Sequence, residues 1–244
     1  MKTYTLYPSD LTFLWRDCPR CFYNSVKLGH KRPKSIMPGV FHNIDKAMKS
    51  FYLDKNLYEI DPCLPNAIFR TPDQWVESAP MVAKGLGIQL VIKGKMDGVL
   101  EYVDEKDDNG NTVWGAPDLK ASAGNDESLQ MYVLAMHAYT YALENPAQGA
   151  FSRSPIEHLG LLVFNPDKFT QKQEGKAFMG GALDWCEIEK DMASFRKWLG
   201  RIAIVLAQDT PPDSTQDCQY CTFAAGIPEA VETVAIDEPE EVLV

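Results

Sequence analysis

Two Cys-x2-Cys pairs stand near opposite ends of this 244-residue chain: Cys18 and Cys21 in Asp-Cys-Pro-Arg-Cys, Cys218 and Cys221 in Asp-Cys-Gln-Tyr-Cys. Four thiolates are enough to close a tetrahedral zinc site or to hold an iron–sulfur cluster. Cys21 and Cys218 are 197 residues apart, which excludes a compact zinc finger with ligands close in sequence. If the pairs meet, they tie the first segment of the chain to the last, as a clasp across one domain; otherwise they are two unrelated thiol pairs. Cys63 and Cys186 stand alone and read as ordinary buried thiols. The opening MKTYTLYPSD carries no basic and apolar export pattern, so a reducing, cytoplasmic setting is expected, where paired thiols more often bind metal than each other.

A hydrophobic content of 45% with 11% aromatics suits one globular domain. No apolar run approaches the ~20 residues that cross a bilayer. The net charge of −10 is unevenly spread. Residues 1–60 are basic, and the last sixteen hold six acids (Glu229, Glu232, Asp237, Glu238, Glu240, Glu241) and no base. The acidic segment 227–244 is expected to be a disordered tail after a single domain over 1–226. Lys27, Lys31, Arg32 and Lys34, in a stretch broken by Gly29 and Pro33, read either as contacts for a nucleic-acid backbone or as a solvated loop.

Periodicity predicts a helix from Pro38 through Lys55, carried by Phe41, Ile44, Met48 and Phe51. Residues 56–86 are Pro-rich and irregular. Ile88–Ile92 and Met96–Val103 read as strands, residues 107–111 as a turn, and Thr112–Ala121 as the return strand. A helix capped by Asn125 or Asp126 carries Leu129, Val133, Met136, Thr140 and Leu143. Leu159–Phe164 is a short apolar strand. A long helix with Ile188, Met192, Phe195, Leu199, Ile202 and Leu206 in step ends before Pro211-Pro212. This order predicts an α/β or α+β domain around a mixed sheet.

Asp97, in Gly-Lys-Met-Asp-Gly, and Asp118 with Lys120, in Pro-Asp-Leu-Lys, form a second constellation. Asp118 and Lys120 are two apart, so on a strand they share a face. Two carboxylates and an amine suit metal-assisted phosphodiester hydrolysis: hard oxygens for Mg²⁺ or Mn²⁺, an ammonium to orient water or offset charge. Alone, such residues are more often a solvated face. Register tests the idea. A two-residue Asn109-Gly110 turn would set Asp97 opposite Ser122, leaving Asp118 roughly 13 Å away at ~3.3 Å per residue. A joint site therefore needs a longer turn or a bulge, for which Pro117 is a natural place.

In order, these residues resemble the PD-(D/E)xK nuclease superfamily, and within it the RecB-like exonucleases with a cysteine cluster, including CRISPR-adaptation and helicase–nuclease members. Pro8 to Tyr23 is similar to the family's Ser-x-Leu…Cys-Pro-x-x-Phe-Tyr opening, and Gly39-Val40-Phe41-His42 to its Gly-x-x-His helix. Gly94 and Asp97 match Gly-x-x-Asp, Pro117-Asp118-Leu119-Lys120 matches Asp-x-Lys, and Gln130 matches the start of Gln-x-x-x-Tyr. Asp217 to Phe223 looks like the C-terminal cysteine segment. Two departures stand out: Leu134 replaces the tyrosine, and no cysteine follows Cys221, leaving Cys21 to complete a two-plus-two set.

The resemblance implies a restriction-endonuclease-like core, with a central mixed sheet flanked by helices and its two ends joined at the four-cysteine site. It implies a metal-dependent deoxyribonuclease acting as a single-strand-preferring exonuclease in DNA repair, recombination or CRISPR adaptation, beside a helicase or CRISPR-adaptation partner. His42, Asp97, Asp118 and the backbone carbonyl of Leu119 would hold Mg²⁺ or Mn²⁺, although by itself His42 reads as part of a wet helix face with Asp45, Lys46 and Lys49. Lys120 would position water and Gln130 would orient Lys120 or the substrate. The resemblance favours a 4Fe–4S cluster at Cys18, Cys21, Cys218 and Cys221; the Cys-x2-Cys spacing alone favours zinc. His30, His137 and His158 read as structural. The rival expectations are a non-catalytic four-cysteine module that binds nucleic acid or assembles with other proteins, and an iron–sulfur electron carrier.

Overall fold

The computed structural model describes residues 1–33, 38–122 and 126–226. Along the chain run β1 (Lys2–Leu6), α1 (Pro8–Asp10) continued by a π-helical turn (Leu11–Trp15), α2 (Pro19–Leu28), α3 (Gly39–Tyr52) and α4 (Leu57–Ile60). Next come β2 (Ala67–Arg70), β3 (Gln74–Glu77), β4 (Met81–Ala83), β5 (Ile88–Met96), β6 (Val99–Lys106) and β7 (Thr112–Ala121). Then follow α5 (Asp126–Glu144), β8 (Ile156–Gln173), β9 (Lys176–Ile188), α6 (Met192–Ala207) and α7 (Gln219–Ala225).

The strands form two mixed sheets flanked by helices, an α+β fold. In the first, β1 runs parallel to β5 while β3 and β4 pair antiparallel with it. In the second, the order is β2-β6-β7-β8-β9, with β7 and β8 parallel and the other pairs antiparallel. The chain passes from one sheet to the other through a bend at Asp97 and Gly98, between β5 and β6. Gly98 is required there: a Cβ would stand 2.5 Å from the buried Phe69 ring and 3.0 Å from the Arg70 carbonyl.

Both faces of β7 and β8 are covered, as expected where parallel strands sit inside a sheet. Ala116, Leu161 and Val163 join one core with Met136, Leu143, Phe195 and Leu206. Leu119 and Leu162 join the other with Tyr52, Phe69, Leu100 and Tyr102. α6 starts where the Asp191 carboxylate accepts the Ser194 N–H at 2.9 Å, and buries Phe195, Leu199, Ile202 and Leu206.

Several expectations change. Ile188, read as the start of the last long helix, ends strand β9 opposite Leu159. The short strand at 159–164 is the inner part of an 18-residue strand, because residues 165–187 return as a hairpin with no apolar alternation to announce it. The irregular 56–86 segment holds α4 and three short strands. Cys63 is exposed and Cys186 half-buried rather than buried. Asn125, the side chain of Leu129, Lys34 and the tail from 227 lie outside the described residues. No helix among the described residues is long and apolar enough to cross a membrane.

Candidate active site and cysteine clasp

The register that unites Asp97 with Asp118 comes from two devices. The loop after β6 is longer than a two-residue turn: Gly110 N–H donates to the Asp107 carbonyl and Asp107 N–H to Asn111, both at 2.9 Å. Gly110 adopts φ 81°, which a residue without Cβ reaches freely. Lys106 thereby pairs with Thr112. Between Glu101 and Lys106, β6 then bulges, so that Glu101 meets Trp114 and Leu100 meets Gly115. Extended inward, that register sets Asp97 opposite Asp118. Pro117, the expected irregular point, pairs in register with Gly160; the nearest shift against β8 lies between Trp114 and Gly115.

Asp118 and Lys120 share the face of β7 that looks toward α5, and they pair at 2.6 Å. Asp97 accepts the Leu119 N–H at 2.8 Å on one oxygen and the Lys49 ammonium at 2.7 Å on the other. Leu119 thus meets Asp97 through its N–H, not its carbonyl. The electrostatics separate the two carboxylates. Burial pushes Asp97 up, but a hydrogen bond from Asp118 and the charges of Lys120 and Lys49 outweigh it and hold the group below its ordinary value. Asp118 is raised to about 7, by burial first and by the Asp97 charge, against the pull of Lys120. For Lys120, burial alone would favour the neutral amine, but Asp118 and Asp97 keep it an ammonium, and it lies 4.7 Å from the Tyr132 ring centroid.

A cleft of about 460 Å³ opens beside Asp97, lined also by His42, Asp45, Lys46, Lys49, Asp73 and Lys95. His42 is exposed on it. Among the described residues, His42 and the two aspartates do not come close enough to hold one ion as a set; the cysteine quartet does. Lys49, read from sequence as part of a wet face, is buried at 6% exposure and meets Asp45, Asp73 and Asp97 at 2.9, 3.0 and 2.7 Å. Burial depresses its ammonium, but those three carboxylates more than reverse the effect. Asp73 enters from a loop with positive φ at both Thr71 and Asp73. The His42–Asp45–Lys49 spacing, one helix face, was a legible signal for Lys49; Asp73 had none.

Gln130 stands elsewhere. It is exposed and lines a separate cavity of about 320 Å³ with Leu134, His137, Phe195 and Trp198. Tyr132 is the α5 residue that meets Lys120. His137 is buried between the Val133 carbonyl, 2.7 Å away, and the Asp191 N–H, which it accepts at 2.8 Å, so its role at the start of α6 is structural.

The cysteine pairs meet. Cys18 and Cys218 are the N-cap residues of α2 and α7, and Cys21 and Cys221 lie in the first turns. Their four sulfurs lie within 4.8 Å of one another, with separations of 3.5, 3.6 and 3.8 Å. Burial pushes the Cys18 thiol up, but backbone N–H groups of Cys21 and Thr215 and the neighbouring thiols bring it to about 6. Arg32 reaches Cys218 Sγ at 3.4 Å, pairs with Asp17 at 2.5 Å and lies 4.4 Å from the Tyr220 ring centroid. Arg32 pulls the Cys21 thiol down but burial outweighs it, and burial with the neighbouring thiols raises Cys221, so the closeness of the four sulfurs is what suits one shared cation. The four cysteines are therefore able to bind a metal or a cluster.

Two of the basic candidates are committed to this clasp region. Arg32 serves the sulfurs. Lys27 donates to the carbonyls of Leu206, at 2.9 Å, and Gln208, at the end of α6. Lys31 is exposed.

No protein-family model and no curated protein matches this chain. Among solved structures it is similar to the crystal structure of SSO0001, with a TM-score of 0.42 and 18% identity over 92% of this chain and 85% of that one.

Proposed function

We propose that this chain is a metal-dependent deoxyribonuclease with a restriction-endonuclease-like core, hydrolysing phosphodiester bonds at single-stranded ends. The observation that carries the proposal is register. A three-residue displacement in β6 and a lengthened loop bring Asp97, Asp118 and Lys120 together against the spacing a tight Asn-Gly turn would impose. The donor set suits Mg²⁺ or Mn²⁺: two apposed carboxylates, one of them holding its proton up to about pH 7, offer a hard cation the place of that proton. When bound, such a cation supplies Lewis-acid polarisation of the phosphate and a more acidic water. The Leu119 carbonyl is the further proposed ligand, while His42 lines the cleft beside Asp97 without being close enough to complete the set.

The chain's own groups do the rest. The Leu119 N–H and Lys49 fix the Asp97 carboxylate. Lys120 stays charged and, between Asp118 and Tyr132, faces the place where phosphate charge grows. Lys46 and Lys95 line the same cleft and would draw a polyanion into it. At the clasp, the sulfur spacing supports one tetrahedral ion: Zn–S bonds of ~2.3 Å put sulfurs about 3.8 Å apart, whereas a cubane spreads its thiolates wider. Its role is structural. A place in repair, recombination or CRISPR adaptation, with a helicase or adaptation partner, is part of the same proposal.

The separation of His42 from the aspartates as an ion-binding set favours one second reading, a non-catalytic nucleic-acid-binding module. End-labelled single- and double-stranded DNA incubated with Mn²⁺, Mg²⁺ or EDTA decides between them. Metal-dependent cutting by the wild type, lost in Asp97→Ala and Lys120→Ala with DNA binding retained, is the expected result. Folded, ion-loaded wild type that binds DNA but never cuts it would leave the binding module.

A further inference from the structure

The hairpin of β8 and β9 outruns the sheet that carries it. Val163 pairs with Lys120, and Phe164 with Ala121, the last residue of β7. Beyond that point β8 and β9 pair with each other alone, through Phe169↔Met179, Thr170↔Phe178 and Gln173↔Lys176. Ten further residues of strand reach about 33 Å past the level of Lys120 at ~3.3 Å each. At the root, a bulge between Pro166 and Lys168 redirects the arm. There Gly181 passes so near Asn165 that a Cβ would lie 2.0 Å from its carbonyl oxygen. The close approach requires glycine.

A packed hairpin would bury one face. This one exposes both: Phe169 is 73% exposed, Met179 52% and Phe178 48%. Phe178 shares its face with Lys168, because Thr170 opposes Phe178 and Lys168 opposes Gly180. Lys176 lies two residues before Phe178 and points the same way, and Lys172 sits in the second bulge beside them. All three lysines are exposed. Among the described residues none of their ammonium groups pairs with a carboxylate. Asp167 and Glu174 on the same arm leave it a net charge of +1, in a chain of net charge −10, with its three lysines gathered around an exposed aromatic.

We infer that the arm binds single-stranded nucleic acid and guides it to the edge of the β7 site, Phe178 stacking on a base and Lys168, Lys172 and Lys176 meeting phosphates. The inference rests on the nuclease proposal for the direction of the strand, and on charge complementarity for the partner. Unpaired ammonium groups gain by releasing counterions from a polyanion, and an exposed ring accepts any base face. The opposite face, Phe169 against Met179, would stack or wedge as the strand passes.

Anisotropy of a labelled single-stranded oligodeoxynucleotide, in EDTA so that nothing is cut, tests this across a salt series. K168Q/K172Q/K176Q should flatten the slope of log K against log salt by about 2, at ~0.7 for each phosphate no longer neutralised. Phe178→Ala should weaken binding about tenfold or more at fixed salt. Neither should move Tm, since these side chains pack on no core. Wild-type affinity and slope in both variants would overturn the inference. So would a wild-type dimer that Phe178→Ala converts to monomer by light scattering while DNA affinity is kept, because the arm then serves a second copy. Arm variants that lose affinity, from a wild type that cuts nothing, keep the arm and refute the nuclease; intact cutting with unaffected arm variants does the reverse.

Discussion

Stripping the ion from the cysteine clasp should cost a large fraction of the stability. An ion across Cys18, Cys21, Cys218 and Cys221 closes a loop of 197 residues. In the chain-entropy treatment of a cross-link, closing a loop that long removes about 5 kcal/mol of freedom from the unfolded chain. At 2–4 °C per kcal/mol for a chain of this size, the shift in Tm is about 10–20 °C. Residual binding to unfolded thiolates moves it toward the lower figure. The assay is thermal unfolding of anaerobic, reduced protein, before and after chelation, with ion content measured on the same samples. Cys218→Ser should reproduce the stripped value. Hydrogen exchange should rise first at α7, which Thr215 Oγ1 to the Asp17 carbonyl and Arg32 against the Tyr220 ring still tether. A stoichiometric ion whose complete removal moves Tm by less than about 2 °C would refute the clasp.

His158 lies between Glu187, at 3.1 Å, and Glu105, at 2.9 Å, which outweigh its burial and raise it to about 9. Its folded value exceeds the unfolded one, so the stabilisation is complete below about pH 6.5 and is lost as pH rises through 9. Half-exposed partners reduce it to about 1–2 kcal/mol; the Tm of wild type minus that of His158→Gln should therefore fall by a few degrees over that window, and a flat difference would contradict the assignment. Lys49→Met leaves Asp45, Asp73 and Asp97 without their shared cation. Without divalent ions its stability should drop by about 3 kcal/mol, and Mn²⁺ should raise its Tm more than that of wild type; equal shifts would show that Lys49 and the ion do not compete. Gly98→Ala forces a Cβ onto Phe69, so unfolding in urea should show a loss of about 1–3 kcal/mol and cutting should fall with the displaced Asp97; wild-type stability would mean the bend relaxes freely.

What was legible in the sequence depended on how local its physics is. Asp118 and Lys120 could be set on one face from strand period alone, and the two Cys-x2-Cys pairs announced their meeting by spacing and residue type. The core stripe of α6 followed from helical period, yet its start was misplaced by four residues, at Ile188 instead of Met192, because an apolar strand end flowed into it without a turn of Gly or Pro. The β8–β9 arm was invisible, since exposed strands need not alternate. Register was the least local property. The Asn-Gly pair pointed to a tight turn, but the bulge in β6 depends on tertiary partners such as Asn66, whose carbonyl takes the Val103 N–H at 3.2 Å. Likewise, helical spacing sets Lys49 beside Asp45, but nothing local announces Asp73, which arrives from another loop to pair with it.

The glycine of Gly-x-x-Asp shows how the two ends of the chain bear on the site. Gly94 lies three residues before Asp97, and a Cβ on it would stand 2.8 Å from the Pro8 ring and 3.1 Å from Tyr139. Pro8 therefore presses directly on the strand that delivers Asp97, while Tyr139 donates to the Lys95 carbonyl one residue on, at 2.9 Å. From Pro8 the chain winds through the π-helical turn to Leu14, whose carbonyl takes the Cys18 N–H at 2.8 Å. α2 is then fastened at its start by the four sulfurs and along its length by Tyr23 and Lys27, both bound to carbonyls at the end of α6. A clasp remote from Asp97 in sequence thus holds the segment that backs Asp97. The cysteines need touch no substrate to matter for the placement of a carboxylate, and this links the four-cysteine cluster to the Asp97–Asp118–Lys120 cluster in one domain without assigning redox chemistry to either.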